Sequence, residues 1–146
     1  MMRDLTGVRE AIRLGDDVDD LDRDGRTPLF YSVRDGELDI SSYLINAGAN
    51  VNARDKNFDT PLHFAAREYQ VGPAKLLLER GANVDAQDSH GNTPLSGAVF
   101  DSRGRGEMIT LLLAHSALKH LKNKHGVSPY DLAHSIANYE VSKFLK

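Results

Sequence analysis

The stretch Thr60–Ala66 reads "TPLHFAA" and has two relatives in the same chain, "TPLFYSV" at Thr27–Val33 and "TPLSGAV" at Thr93–Val99. Their threonines are 33 residues apart, and a fourth, weaker copy begins at Ser128. A fixed period of this length is typical of proteins built from stacked structural repeats. One such unit buries little surface, so the chain is expected to form its core by stacking the units.

Each copy predicts two helices joined by a turn. The threonine suits a helix N-cap and the proline suits the first helical position, where its missing N–H is not needed. In the middle copy we expect a short helix at Leu62–Glu68, a break at Val71-Gly72-Pro73, and a second helix whose apolar side includes Leu76–Leu78. Gly48 and Gly81 are placed where a left-handed helix end uses glycine, and polar loops or hairpins follow them.

One of the turns that precede the three copies is anomalous. Two of the three turns carry Gly25 or Gly91, and the middle turn carries Phe58 at the same place. The glycines predict a positive φ, where a side chain costs about 1 kcal/mol. The ring could pack on Arg26 or His90, or a partner could bury it; full burial, worth about 1.5–3 kcal/mol, favours the partner.

The motifs "TPLHFAA", "LLLERGANVDAQD" and "HGNTPL" closely resemble the ankyrin repeat, over the chain from about Val8 onward. The resemblance implies an all-α ankyrin-repeat solenoid of about four and a half repeats with projecting β-hairpin-like loops. It divides the single domain 1–146 into a partial amino-terminal repeat at 1–21, full repeats at 22–54, 55–87 and 88–122, and a capping repeat at 123–146.

Three features depart from the family pattern. Phe58 replaces a turn glycine, and the third full repeat is lengthened by "DSRGRGE" at Asp101–Glu107. The partial repeat has only its second helix, at about Thr6 to Leu14, so the inner helix of the next repeat is incompletely covered. We therefore expect Phe30, Tyr31 or neighbouring apolar groups to be accessible, and this end to fray first or to pair with another molecule, including a second copy of the chain.

The resemblance also implies where a partner binds, because hairpin tips and inner helices form one concave face in this family. The corresponding positions mix charges of both signs with aromatic rings, which is typical of a protein-binding surface rather than a phosphate groove. The residues carried over are Arg23, Arg26, Arg34, Lys56, Phe58, Asp59, Arg67, Glu68, His90, Asn92 and Phe100.

Motifs of catalysis and of metal binding are missing from the sequence. There is no Gly-x-Ser-x-Gly elbow, phosphate-binding glycine loop or His-Glu-x-x-His helix. His115, His120 and His125 recur every five residues, a spacing that does not align on one helix face. The resemblance assigns His63 to hydrogen bonds between neighbouring turns. We predict no catalytic residue, no cofactor and no metal.

Composition bounds the remaining classes of protein. The chain has 146 residues, no cysteine and a net charge of −3, which argues against general nucleic-acid binding. Its apolar runs are far shorter than the roughly 18–20 residues of a membrane span. We expect a soluble, cytoplasmic protein, although a signal peptide removed before Met1 would leave no trace.

The implied function is recognition of another protein, without catalysis. Short chains with an insertion like "SRGRGE" and an ending like "GVSPYDLAHSIANYEVSKFL" look similar to small bacterial ankyrin-repeat proteins, some of which resemble immunity proteins that neutralise a toxin. A toxin or effector is then the expected partner. The alternative is an enzyme-associated, nucleic-acid-associated or phosphate-associated regulatory role centred on Arg103 and Arg105, which are also candidate partner-binding residues.

Overall fold

The helices of the chain follow one another in pairs. The computed structural model describes residues 17–135 and 140–146, and no strand is assigned among them. The helices are α1 (Pro28–Arg34), α2 (Leu38–Asn46), α3 (Pro61–Arg67), α4 (Val71–Glu79), α5 (Pro94–Phe100), α6 (Glu107–Ala114) and α7 (Pro129–Ser135), followed by a 3₁₀ helix at Ser142–Leu145. The predicted all-α repeat class is confirmed, whereas the helix expected at Thr6 to Leu14 lies outside the described residues.

The Thr-Pro pairs start the inner helices as predicted. Thr60 is the N-cap of α3, and its hydroxyl oxygen accepts a hydrogen bond from His63 N at 3.4 Å. The predicted break in this repeat is wrong, because α4 already begins at Val71. Pro73 lies in the first turn of α4, where a missing N–H leaves no helical hydrogen bond unmade. The turn between the two helices therefore covers residues 68–70.

Leucines at equivalent places form the core. The inner helices α1, α3, α5 and α7 pack in series, and so do the outer helices α2, α4 and α6. Each full helix pair contributes one fully buried leucine from its inner helix and one from its outer helix. These are Leu29, Leu62 and Leu95 in the inner row and Leu44, Leu77 and Leu112 in the outer row. Stacking thus gives the continuous core that single units lack.

The prediction of an accessible apolar group at the amino-terminal end is wrong for Phe30, whose side chain is 0% exposed. Its ring faces the next repeat and meets the Phe64 ring edge-on, with 5.3 Å between the centroids. Tyr31 is half-buried, and its hydroxyl donates to the Asp22 carboxylate. This hydrogen bond lowers the pKa of Asp22 and raises the pKa of Tyr31.

Two hydrogen-bond ladders join consecutive repeats. In the tip ladder a backbone N–H of one tip donates to a carbonyl of the tip before it, as from Lys56 to Asp24, Ser89 to Asn57 and Lys124 to His90, at 2.9–3.0 Å. In the loop ladder a side-chain oxygen accepts from a backbone N–H of the next repeat, as Asp19 does from Asn50, Asn52 from Asn83 and Asp85 from Leu118. These bonds fix the spacing of the tips along the stack.

Candidate protein-binding surface

The tips are the short loops at residues 22–26, 55–59, 88–92 and 123–127, and each is closed by one acidic or amide side chain. In the middle tip, Asp55 Oδ1 accepts from Asn57 N at 2.8 Å and from Asp59 N at 2.9 Å. The same two bonds, to the residues two and four places later, are made by Asp22, Asp88 and Asn123. Asx turns of this kind replace a backbone turn and hold the loop in one shape. The tips therefore present their outer residues in fixed positions.

Phe58 adopts the conformation of the glycines that it replaces. Its φ is 59°, against 75° at Gly25 and 81° at Gly91, which confirms the predicted left-handed backbone. The side chain is 51% exposed. The guanidinium that approaches its ring is that of Arg54, at 5.8 Å from the centroid, rather than that of the predicted Arg26. This distance is at the outer limit of a cation–π contact.

Three arginines line a groove of about 330 Å³ beside this tip, which we call the arginine groove. Arg26 and Arg67 lie on the Phe64 ring, at 4.8 and 5.1 Å from its centroid. Each arginine has a carboxylate of its own, because Arg26 pairs with Asp55 at 3.2 Å, Arg34 with Asp35 at 2.9 Å and Arg67 with Asp59 at 3.0 Å. The groove thus offers oriented guanidinium edges and little net charge.

Asp59 lies below the surface, although it was predicted to be one of the partner-binding residues. It is 5% exposed, and its Oδ2 atom accepts from Arg67 Nη2. Its other carboxylate oxygen is buried and has no hydrogen-bond partner among the described residues. Asp59 therefore acts on this surface by fixing Arg67 rather than by direct contact.

His63 ties neighbouring tips together, as the resemblance implies. Thr60 N donates to His63 Nδ1 at 3.0 Å, which leaves the proton on Nε2, and Nε2 donates to the Asn92 carbonyl at 2.9 Å. Burial is the main cause that lowers the pKa of His63. The neutral imidazole thus links the cap of α3 to the following tip.

His63 also belongs to a cluster that resembles a metal site. Ligand atoms of Asp59, His63 and Asp88 lie within 4.8 Å of one another. Both ring nitrogens of His63 are already hydrogen-bonded, and Asp59 already holds the Arg67 guanidinium. The arrangement is explained by these internal bonds, so we assign it to the structure of the tips.

A second groove, of about 370 Å³, opens at the middle of α5. The equivalent place is held by Tyr31 in α1, Phe64 in α3 and Leu132 in α7, but by Gly97 in α5. A Cβ atom at position 97 would lie only 2.9 Å from Arg67 Cγ. The Arg67 stem thus packs directly on Gly97, and we call the groove that both residues line the Gly97 groove.

Arg105 holds the insertion "DSRGRGE" in place through bonds to its backbone. Arg105 Nε donates to the Ser102 carbonyl at 2.8 Å, and Arg105 Nη2 donates to the Asp101 carbonyl at 3.2 Å. The same guanidinium lies 3.9 Å from the centroid of the Tyr69 ring. Arg103 is exposed, with a φ of 52°. Of the two arginines, Arg105 is thus engaged in the fold of the loop.

The predicted site residues fall into two groups. One group lies on the tips and inner helices and comprises Arg23, Arg26, Arg34, Lys56, Phe58, Asp59, Arg67, Glu68, His90, Asn92 and Phe100. The other, Arg103 and Arg105, follows the opposite end of α5. Sequence reasoning missed the Gly97 groove and the role of Tyr69. A comparison of Gly97 with Phe64 and of Tyr69 with Gly36, each 33 residues apart, carries the signal for both.

These observations define a class of protein: helix pairs stacked at a 33-residue period, with tips joined by backbone hydrogen bonds. The family model for ankyrin repeats in three copies matches residues 3–88 and again residues 44–123. The chain therefore belongs to the ankyrin-repeat family, whose members generally mediate protein–protein interactions and are typically non-catalytic.

No curated protein matches the chain closely enough to add a more specific function. Among the described residues, no helix combines the length and the apolar character needed to cross a bilayer.

Proposed function

We propose that this chain binds a protein partner without catalysis. The binding face consists of the tips and inner helices, which the resemblance to the ankyrin repeat implies to be concave. The observation that carries the proposal is Phe58. A large aromatic side chain is held in a left-handed conformation and remains 51% exposed. The cation–π contact of its ring is the distant one with Arg54, at 5.8 Å.

The energies favour a partner as the compensation. A non-glycine residue at positive φ costs about 1 kcal/mol, and a cation–π contact at an exposed site returns about 0.5–1 kcal/mol at best. Full burial of the ring in a complex is worth about 1.5–3 kcal/mol. Aromatic and arginine side chains dominate interface hot spots. Phe58 is therefore the proposed anchor, with Lys56 beside it and Arg67 on the inner helix below.

The finer proposal concerns the partner. The likeness of the insertion and the carboxyl-terminal segment to small bacterial ankyrin-repeat proteins supports a cytoplasmic inhibitor or immunity protein, whose partner is a toxin or effector. Binding without chemistry is sufficient for such a role, because a stoichiometric inhibitor acts by occupying its target. The product of a neighbouring gene is the first partner to test.

The test is affinity capture from the source cell with the tagged chain, followed by measurement of Kd for the captured protein. We expect Phe58→Gly to weaken binding at least tenfold, which corresponds to about 1.4 kcal/mol. Leu38→Ala is the matched control, because Leu38 is an exposed apolar residue at the start of the outer helix α2. An equal affinity of the two variants would contradict the proposal.

The alternative role at Arg103 and Arg105 receives less support. A phosphate or nucleic-acid site needs guanidinium groups that are free to converge on an anion. Arg105 instead donates to two loop carbonyls and packs on Tyr69. Substitution of Arg105 is therefore expected to disturb this loop, while Arg103→Ala tests the anion role separately.

A further inference from the structure

The Gly97 groove has walls and a floor of different chemistry. Its apolar walls include Phe100, which is 68% exposed, together with Val127 and Leu132. The walls come from two successive units, since Phe100 ends α5 and Leu132 lies on α7. A ligand in the groove would therefore contact both units at once.

The polar groups of the floor are already satisfied by one another. The Asn92 carbonyl accepts from His63, and Asn92 Oδ1 accepts from Asn123 Nδ2 at 2.8 Å. Thr93 Oγ1 accepts from Ser96 N. A pocket whose polar groups are internally paired gains most from an apolar occupant, because no donor or acceptor requires replacement.

The charge at the edge of the groove is acidic. Asp88 and Asp101 line it, and Arg67 is the guanidinium beside them. Arg67 is already paired with Asp59 at 3.0 Å, whereas the Asp101 carboxylate has no hydrogen bond or ion pair with residues 17–135 or 140–146. A cation that enters next to the apolar occupant would thus meet a carboxylate without a competing partner.

We propose that the Gly97 groove binds a large apolar or aromatic side chain of the partner, with an adjacent lysine or arginine of the same segment directed at Asp101. This inference rests on the proposed function and adds the chemistry of the recognised segment. The volume of about 370 Å³ is at the lower end for ligand pockets, which suits one large side chain.

Three small probes test the chemistry without the natural partner: cationic tryptamine, neutral indole and anionic indole-3-propionate. Each is titrated into the ¹⁵N-labelled full chain and followed by NMR. We expect tryptamine to bind in the millimolar range and to shift amides of α5 and of the 123–127 tip. Indole should bind several-fold more weakly, and indole-3-propionate more weakly still. Equal or tighter binding of the anionic probe would overturn the proposal.

Two variants of the chain locate the binding. Gly97→Leu places in the groove the side chain that α7 carries at Leu132, and it should abolish the tryptamine shifts. Because its Cβ would lie 2.9 Å from Arg67 Cγ, the Arg67 side chain has to shift and a lower Tm is expected. Asp101→Asn should reduce tryptamine binding to the level of indole. If Gly97→Leu fails to fold, Phe100→Ala, which removes a wall, provides the same test. Unchanged tryptamine binding in the groove variant that folds would also overturn the proposal.

The outcomes separate this inference from the proposed function. If the probes do not bind but Phe58→Gly still weakens the captured partner, the groove proposal fails and the binding function stands. If the probes bind as expected but Phe58→Gly leaves the partner's affinity unchanged, the proposal that Phe58 is the anchor is contradicted and the groove proposal is supported.

Discussion

Phe58 and Tyr69 lie in the same repeat and share the same backbone conformation, with φ values of 59° and 58°. Each occupies a place where another repeat has glycine, Gly25 for Phe58 and Gly36 for Tyr69. Their surroundings differ. Tyr69 has Arg105 over its ring at 3.9 Å, and its hydroxyl accepts from Met108 N at 3.2 Å. Phe58 is half exposed, with Arg54 at 5.8 Å.

The difference shows that an aromatic residue in a left-handed conformation is not by itself a sign of binding. Helix α6 has Gly106 as its N-cap, without a side-chain cap bond, and Met108 N belongs to its first turn. The Tyr69 hydroxyl satisfies this N–H from the neighbouring repeat, so the strain at Tyr69 supports the fold. Within the described chain, no hydrogen bond or close ring contact of this kind compensates for the strain at Phe58.

The largest expected effect separates the two residues by stability. Tyr69→Gly should lower the free energy of unfolding by about 2 kcal/mol, because lost packing and a lost hydrogen bond outweigh the relief of about 1 kcal/mol at the backbone. Urea denaturation followed by circular dichroism measures it. A variant as stable as the parent chain would show that Tyr69 does not support the fold.

The hydroxyl of Tyr69 can be isolated from its ring. Tyr69→Phe should lower the free energy of unfolding by about 1 kcal/mol, since Met108 N is left without its acceptor. Hydrogen exchange at the Met108 amide should become faster, while the amides of α3 keep the parent rates. An unchanged Met108 rate would show that the hydroxyl does not cap α6.

Phe58→Gly should have the opposite sign to Tyr69→Gly. Glycine relieves the left-handed strain and removes few contacts, so the free energy of unfolding should hold or rise by up to about 1 kcal/mol. The same urea titration checks this value. A clear loss of stability would mean that the ring serves the fold, as Tyr69 does.

The smallest expected effect is a pH dependence of stability that arises from His63, next to the tip. Burial lowers the pKa of His63, so the folded chain favours the neutral ring, whereas an unfolded histidine titrates near 6.5. This contribution to stability is complete above that pH and is lost as the pH falls below it, by less than about 1 kcal/mol at pH 6.

Comparison of Tm at pH 7.5 and pH 6 checks this sign. His63→Gln should reduce the loss of Tm on acidification, and His115→Gln, at an exposed position, should not. Amides near Phe58 should shift with the His63 titration more than those near Tyr69. Equal pH dependence of the parent chain and His63→Gln would contradict the assignment.

The sequence predicts the repeat and its helix starts well, because Thr-Pro at a 33-residue spacing carries strong local chemistry. The positive φ of Phe58 follows from its alignment with Gly25 and Gly91. The start of α4 was misplaced, since "VGP" is typical of a break although proline is tolerated in a first helical turn. The local pattern cannot show that a contact with a neighbouring repeat compensates for backbone strain, as the hydrogen bond from Met108 N to the Tyr69 hydroxyl does.

The inner surface was harder to predict for a related reason. Position by position, the sequence shows which side chains line the face, but the Gly97 groove depends on how the units pack, with the Arg67 stem directly on Gly97. The depth of Asp59 and the contact of Arg105 with Tyr69 depend on packing between repeats as well. The expectation that Phe30 is exposed was wrong because its orientation toward Phe64 depends on how the repeats stack, which the local sequence does not show.

The two ladders have a consequence for how such a chain changes its length. Every junction that they join uses the same backbone donor and acceptor in the tips and the same side-chain oxygen in the loops. A duplicated 33-residue unit inserted after residue 87 would meet matching groups on both of its sides. The gene can therefore lengthen or shorten its product by whole units, and the face between the tips grows or shrinks with it.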